Sequence, residues 1–178
     1  MNLPNLLSLL RIFLVAPFLI AVIYRYYGLA LALFVVAGLS DYLDGYLARR
    51  LQQKSVLGTY LDPLGDKLLA SVAFVALSIQ GLVPAWLAVI VVAKDVYVAL
   101  GSAVLFYSGN LRVVIPSFWG KFATMLQIVA IGLVLLASQV AFSRLLLAVL
   151  FISTAAITTI ACVHYIWHGT RIFKESSE

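Results

Sequence analysis

The chain has 178 residues, of which 64% are hydrophobic and only 11% charged, and its formal net charge is +5. In a soluble domain about a quarter of the residues are charged. This composition therefore excludes an ordinary water-soluble protein and indicates an integral membrane protein. The basic residues form no continuous stripe, which argues against nucleic-acid binding. At about 20 residues per spanning helix the length accommodates about six helices, and we predict one domain over residues 1–178.

Six apolar segments follow one another along the chain, separated by short stretches that contain charged residues, glycine or proline. Pro4 and Asn5 precede the first of them, and we expect a short interfacial segment there. The predicted helices cover residues 6–24, 28–50, 56–80, 86–107, 116–138 and 143–167. The sequence therefore predicts an all-α integral membrane protein with six transmembrane helices.

The positive charges are distributed unequally between the two sides of such a bundle. One side has only Arg25 and Arg144, and the other carries Arg49, Arg50, Lys54, Arg112, Lys121, Arg171 and Lys174. Because Lys and Arg accumulate in cytoplasmic loops, both termini are predicted to be cytoplasmic. We expect the inner membrane of a bacterium and a site that faces the cytoplasm.

Four aspartates lie inside the apolar second and third segments: Asp41, Asp44, Asp62 and Asp66. An ionised aspartate at the centre of a membrane helix costs about 2.5–3.5 kcal/mol, so four of them would cost on the order of 10 kcal/mol. A cost of this size requires compensation. Bound metal ions are the natural candidate.

The spacing of the aspartates suits a metal site. At about 100° per residue, Asp41 and Asp44 share one helical face, and Asp62 and Asp66 form a stripe on the next helix. A short loop joins the two helices, so we expect antiparallel neighbours with facing acidic stripes. Carboxylate oxygens suit Mg²⁺ or Mn²⁺, and four carboxylates suffice for two bridged ions.

Small residues and one arginine accompany the aspartates. Gly45, Ala48 and Gly58 leave room for a nucleotide to approach the backbone, although small residues at such spacing also serve helix packing. Arg49 can hold a phosphate oxygen through two hydrogen bonds, and the alternative is a topology residue at the cytoplasmic end of the helix.

The pattern D-x2-D-G-x2-A-R-x8-G-x3-D-x3-D, read from Asp41 to Asp66, resembles the signature of the CDP-alcohol phosphatidyltransferases at every fixed position. The opening residues Asn2, Pro4, Asn5, Ser8 and Arg11 are similar to the N-terminus of the bacterial glycerol-lipid members. The resemblance implies six transmembrane helices, commonly a homodimer among membrane lipids, and a divalent-metal site at the cytoplasmic interface. It also implies CDP-diacylglycerol or a related donor and release of CMP.

Carried onto this sequence, the resemblance makes Asp41, Asp44, Asp62 and Asp66 the metal site, with Asp66 also the general base. Donor binding would fall to four residues of the same motif: Gly45, Ala48, Arg49 and Gly58. The acceptor hydroxyl would attack the β-phosphorus of the donor.

The acceptor is predicted from residues outside the motif. Phosphatidylglycerophosphate synthases of the family typically carry Arg-Glu and then Leu-Arg in the fourth helix, where this chain has Lys94-Asp95 and Gly101-Ser102. The runs KDVYVALGSAVLF, PSFWGKFATMLQI and HYIWHGTR resemble the cardiolipin synthase branch. We therefore expect phosphatidylglycerol as acceptor and cardiolipin as product, with glycerol-3-phosphate giving phosphatidylglycerophosphate as the alternative.

Three basic residues are candidates for acceptor binding: Lys94, Arg112 and Lys121. For Lys94 and Asp95 the alternative is a satisfied buried ion pair with neighbours such as Lys67, and for Lys121 it is contact with lipid headgroups. A remote alternative for the whole chain is a cation channel or transporter, since intramembrane aspartates also mark ion pathways. That function would favour acids nearer the midplane and on more helices.

Overall fold

The computed structural model describes residues 3–51, 56–107 and 118–175, and side chains over a smaller set: residues 10, 12–40, 68–101 and 118–167. All regular structure in the described residues is helical, which confirms the all-α part of the prediction. The helices are α1 (Leu3–Ile23), α2 (Tyr27–Leu51), α3 (Val56–Ile79), α4 (Ala85–Tyr107), α5 (Phe118–Ala137) and α6 (Arg144–Glu175).

The helix order follows the sequence prediction, and the ends differ by three or more residues in two places. α1 begins at Leu3, so the residues expected to form a separate interfacial segment are helical from that point; Pro4 is tolerated in a first turn because its missing N–H has no partner there. α6 continues to Glu175, beyond the predicted end at Trp167. Its extension contains Gly169, and a single glycine in a helix costs only about 1 kcal/mol.

The chain forms two compact units, and the first comprises residues 1–83 with residues 131–142. Within it, α1 packs against both α2 and α3. The ring of Phe18 on α1 meets that of Phe34 on α2, with centroids 6.1 Å apart. Buried alanines allow the helix backbones to approach closely, as is usual between membrane helices: Ala21, Ala30, Ala37, Ala70, Ala73 and Ala76.

The second unit comprises residues 84–130 with residues 143–178. α4 packs against α6 in this unit. α5 and α6 are joined by a buried hydrogen bond in which the Gln127 amide donates to the Thr158 hydroxyl oxygen over 3.1 Å. Thr154, one turn away on α6, donates to the carbonyl of Leu150 over 2.7 Å. Both threonines and Gln127 are therefore buried with their polar atoms satisfied.

Apolar side chains cover much of the described exterior, and Phe13, Leu145 and Ile79 are each more than 70% exposed. Two described segments, Phe118–Ala137 and Arg144–Trp167, are long and apolar enough to cross a membrane, and only 33% and 22% of their spanning windows are buried. Three shorter helical stretches are also apolar: Ile12–Ile23, Tyr27–Ser40 and Leu68–Ile79. An exterior of this kind is suited to lipid and indicates a membrane-associated protein.

Gly120→Ala is expected to weaken the contact between α5 and α6. A Cβ at position 120 would collide with the ring and hydroxyl of Tyr165, and overpacking of this kind costs about 1–3 kcal/mol. The variant should therefore unfold at a lower temperature in the same detergent.

Gly132→Ala is the matched control on the same helix. A Cβ there meets no described atom within 4 Å, so the higher helix propensity of alanine should maintain or raise the unfolding temperature. Equal unfolding temperatures for the two variants would contradict the close contact at Gly120.

Candidate active site

The four aspartates of the motif lie on two helices of the first unit. α2 includes Asp41 and Asp44, and α3 includes Asp62 and Asp66. Residues three and four apart share a helical face, so each helix carries its two aspartates on one side. The side chains of all eight motif residues lie outside the described set, and their roles stay predictions: Asp41, Asp44, Gly45, Ala48, Arg49, Gly58, Asp62 and Asp66.

On α2, the sequence positions of the two aspartates continue the spacing of the buried residues. Ala30, Phe34 and Ala37 are buried at alternating spacings of four and three residues. Positions 41 and 44 continue this alternation along the same helix. By sequence position, 41 and 44 fall on the extension of the stripe that is buried in the described part of α2.

On α3, the two aspartates precede the buried residues along the helix, and their positions again continue the spacing of those residues. Ala70, Ala73 and Leu77 are buried at spacings of three and four residues. Extending the stripe towards the N-terminus by steps of four leads to positions 66 and 62. α2 and α3 both pack on α1, so the two helices that carry the motif share one neighbour.

Lys94 and Asp95 form an ion pair on α4 in the second unit. The Lys94 Nζ lies 2.8 Å from Asp95 Oδ1, and the two side chains are only 5% and 9% exposed. Adjacent helical residues do not normally face each other, so the flexible lysine side chain must fold back to reach the carboxylate. The sequence correctly singled out an ion pair as one alternative for these residues, but it did not identify Asp95 as the partner of Lys94.

The two other acceptor candidates differ from Lys94. Lys121 is exposed in the first turns of α5, so its ammonium is open to a ligand or to lipid headgroups. Phe118 stacks on Phe122 with ring centroids 6.4 Å apart and meets Trp119 edge-on at 6.0 Å. This aromatic group is typical of a helix end at a membrane interface. Arg112 lies outside the described residues.

Comparison with known proteins gives the same family that the motif resembles. The family model described as CDP-alcohol phosphatidyltransferase matches residues 1–167. A protein of Mycobacterium tuberculosis named probable phosphatidylglycerophosphate synthase is 36% identical over 96% of this chain and 82% of its own length. The Bacillus subtilis CDP-diacylglycerol–glycerol-3-phosphate 3-phosphatidyltransferase is 33% identical over 76% of the chain and 77% of its own length.

A second kind of relative matches a shorter region. The cardiolipin synthase (CMP-forming) of Homo sapiens is 41% identical over 53% of this chain and 32% of its own length. With a family model that matches nearly the whole chain and relatives of both kinds, this protein belongs to the CDP-alcohol phosphatidyltransferase family.

Lys94→Met is expected to destabilise the second unit strongly. It removes the ammonium from a buried carboxylate, and loss of one partner of a buried pair costs about 3–5 kcal/mol. The double variant Lys94→Met/Asp95→Leu removes both charges and should recover part of that stability. Thermal unfolding of the purified chain in detergent measures both effects.

Lys121→Met is the control for this prediction because its lysine is exposed. Its stability should lie within about 0.5 kcal/mol of the parent chain. If Lys94→Met were as mild as the control, the buried pair would contribute nothing to the fold.

Proposed function

We propose that this protein transfers the phosphatidyl group of CDP-diacylglycerol to a glycerol-type acceptor and releases CMP. The observation that carries the proposal is the complete family motif from Asp41 to Asp66, which runs over two helices packed on the same neighbour, α1. Family membership and the names of the relatives agree with this activity. A cation channel has no comparable support.

The donor set fits two Mg²⁺ or Mn²⁺ ions. Asp41, Asp44, Asp62 and Asp66 supply only hard carboxylate oxygens, which these ions prefer. The motif positions continue the spacing of the buried described residues on α2 and α3, which supports a common location for the four carboxylates. When bound, the ions would neutralise negative charge on the donor diphosphate and on the leaving CMP.

The other steps, donor binding and proton transfer, are also assigned to residues of the motif. Arg49 would bind the diphosphate through its guanidinium, while Gly45, Ala48 and Gly58 would leave space for the cytidine and diphosphate. The acceptor hydroxyl oxygen forms a bond to the β-phosphorus, and the bond from that phosphorus to the CMP oxygen breaks. Asp66 would accept the hydroxyl proton.

The membrane arrangement belongs to the same proposal. We propose six transmembrane helices in the inner membrane of a bacterium. The apolar exterior of the described helices and the two segments long enough to span support a membrane location. Arg49, Arg50 and Lys54 follow the aspartates of α2 and favour a cytoplasmic position for the site. By family resemblance we also propose a homodimer.

Phosphatidylglycerol is the acceptor we propose first. Glycerol-3-phosphate brings a phosphate monoester with about two negative charges, which requires several open cations. Lys94 is bound to Asp95 over 2.8 Å and is buried, so it is not an open cation, whereas Lys121 is exposed. The phosphodiester of phosphatidylglycerol has a single negative charge, so its binding needs fewer cations. Glycerol-3-phosphate is the second candidate, favoured by relatives that align with most of the chain.

The acceptor is tested with purified protein in lipid discs. We would supply CDP-diacylglycerol with Mg²⁺ or Mn²⁺ and either phosphatidylglycerol or glycerol-3-phosphate, and identify the lipid product. We expect cardiolipin and CMP with phosphatidylglycerol. If the only product were phosphatidylglycerophosphate from glycerol-3-phosphate, then glycerol-3-phosphate would be the acceptor in place of phosphatidylglycerol. If folded protein supplied with metal released no CMP with either acceptor, the proposed function would be contradicted.

Asp66→Asn is expected to abolish turnover while donor binding is largely retained. The amide keeps the shape of the carboxylate but cannot take the proton, and loss of a general base lowers the rate by about 10²–10⁴-fold. CMP release measures turnover, and thermal stabilisation by CDP-diacylglycerol measures donor binding. Glu175→Gln, a change at the last residue of α6, serves as control, and full activity of Asp66→Asn would remove Asp66 from the role of base.

A further inference from the structure

The end of α1 adopts a backbone conformation that arginine rarely takes. Arg25 has φ of +62°, in the left-handed region. The N–H of Tyr26 donates to the carbonyl of Ala21 over 2.8 Å, and the N–H of Arg25 donates to Val22 over 3.0 Å. These two bonds define a Schellman motif, whose left-handed position is usually glycine. A residue with a Cβ is disfavoured in this conformation.

The same chain closes α3 in the same way with glycine. Gly81 has φ of +74°, the N–H of Leu82 donates to the carbonyl of Leu77 over 2.9 Å, and the N–H of Gly81 donates to Ser78 over 3.0 Å. The backbone therefore gives no reason for arginine at the equivalent position of α1.

The ends of α1 and α3 lie beside each other in the first unit. The side-chain amide of Gln80 donates to the carbonyl of Ile23 over 3.4 Å. The left-handed position at the end of α3 is thus occupied by Gly81, and the equivalent position at the end of α1 is occupied by Arg25. A function for the side chain of Arg25 would account for this difference.

Arg25 lines an open groove of about 550 Å³. The groove is formed by the turn between α1 and α2 together with Gln139, and its lining residues are Arg25, Tyr26, Tyr27, Gly28, Leu29 and Gln139. The Gln139 amide nitrogen lies 3.6 Å from the Cβ position of Gly28, so this amide sits against the start of α2. The lining set provides a guanidinium, an amide and phenol hydroxyls, and none of the six residues is acidic.

The groove also has the features of a membrane interface. Tyr24 and Tyr26, on either side of Arg25, are 69% and 64% exposed, as expected for aromatic residues at headgroup level. It is distant from the aspartates: at 1.5 Å per residue, the start of α2 at Tyr27 lies about 21 Å along the helix from Asp41. The groove is therefore separate from the proposed active site.

We propose that this groove, which we call the Arg25 groove, binds the headgroup phosphate of an anionic phospholipid. Arg25 supplies the charge, Gln139 and the tyrosines supply further hydrogen-bond donors, and the exposed aromatic rings lie against the lipid. Arg25 is the one charged residue of the lining set, so the groove has a net positive charge and favours a headgroup with a net negative charge over a zwitterionic one. The proposal is independent of the reaction proposed above.

Arg25→Gly and Arg25→Asn test the proposal because they remove the charge but suit the left-handed conformation. We would measure binding of fluorescent phosphatidylserine to the purified full chain in phosphatidylcholine micelles, together with thermal unfolding with and without phosphatidylserine. This lipid has no glycerol headgroup and is not an acceptor of the proposed reaction. Both variants should bind phosphatidylserine about fivefold more weakly, the effect of one cation at a lipid surface.

The stability data separate lipid binding from a purely structural role. Without phosphatidylserine, Arg25→Gly should unfold at the same or a higher temperature than the parent chain, since glycine relieves the left-handed strain. Arg25→Lys should retain most of the lipid binding, and Arg144→Ala, which removes an exposed cation at the start of α6, should retain all of it.

Three results would overturn the proposal. The first is unchanged phosphatidylserine binding by Arg25→Gly and Arg25→Asn. The second is an equal loss of stability by Arg25→Gly with and without the lipid, which would assign Arg25 to the helix end alone. The third is displacement of the lipid from the parent chain by millimolar inorganic phosphate, which would indicate a site for soluble phosphate.

Discussion

A carboxylate within an apolar helix needs a positive charge close to it, and this requirement governs how the chemistry of the chain is distributed. Asp95 meets it with Lys94 at 2.8 Å, and the resulting pair is buried. For the four aspartates of α2 and α3 we propose two divalent ions. Two such ions balance four carboxylates, so the diphosphate of the donor brings negative charge that still needs a cation. We propose that Arg49, the arginine of the motif, supplies this cation.

α1 organises the unit that contains the motif. It packs against both α2 and α3, with Phe18 and Val22 fully buried and Phe18 against Phe34. The alanines of these helices bring backbones close without large side chains between them, and interhelical attraction in a membrane depends on such packing. α1 thus links the two helices that carry the motif.

Much of the helix order could be predicted from the sequence, because long apolar runs ended by Gly81 and Pro84 or by polar stretches leave few alternatives. The extension of α6 to Glu175 was missed because its last turns carry charge and a glycine, which imitate a helix end. Spacing predicts which aspartates share a helical face, and this stays a prediction because their side chains lie outside the described set. The packing of α2 and α3 on α1 was not predicted, since it depends on contacts between helices.

The polar contacts outside the motif were harder to predict. The sequence placed Lys94 and Asp95 in an apolar environment but gave no reason for neighbours in a helix to pair, since residues one apart normally point in different directions. The bond between Gln127 and Thr158 joins residues of different helices, and no local pattern signals it. The left-handed conformation of Arg25 was equally hidden, because the sequence at this point lacks the glycine that marks the end of α3.

Arg25 shows how a local backbone cost can be tied to the membrane. A left-handed residue with a Cβ costs roughly 1–2 kcal/mol, and one cation at an anionic lipid surface contributes about 1 kcal/mol. These magnitudes are similar, so the helix end is at its most stable only when an anionic headgroup occupies the Arg25 groove. Glycine at Gly81 gives the neighbouring helix a cap that needs no ligand. On this basis the end of α1 responds to the charge of the surrounding lipid, whereas the end of α3 does not.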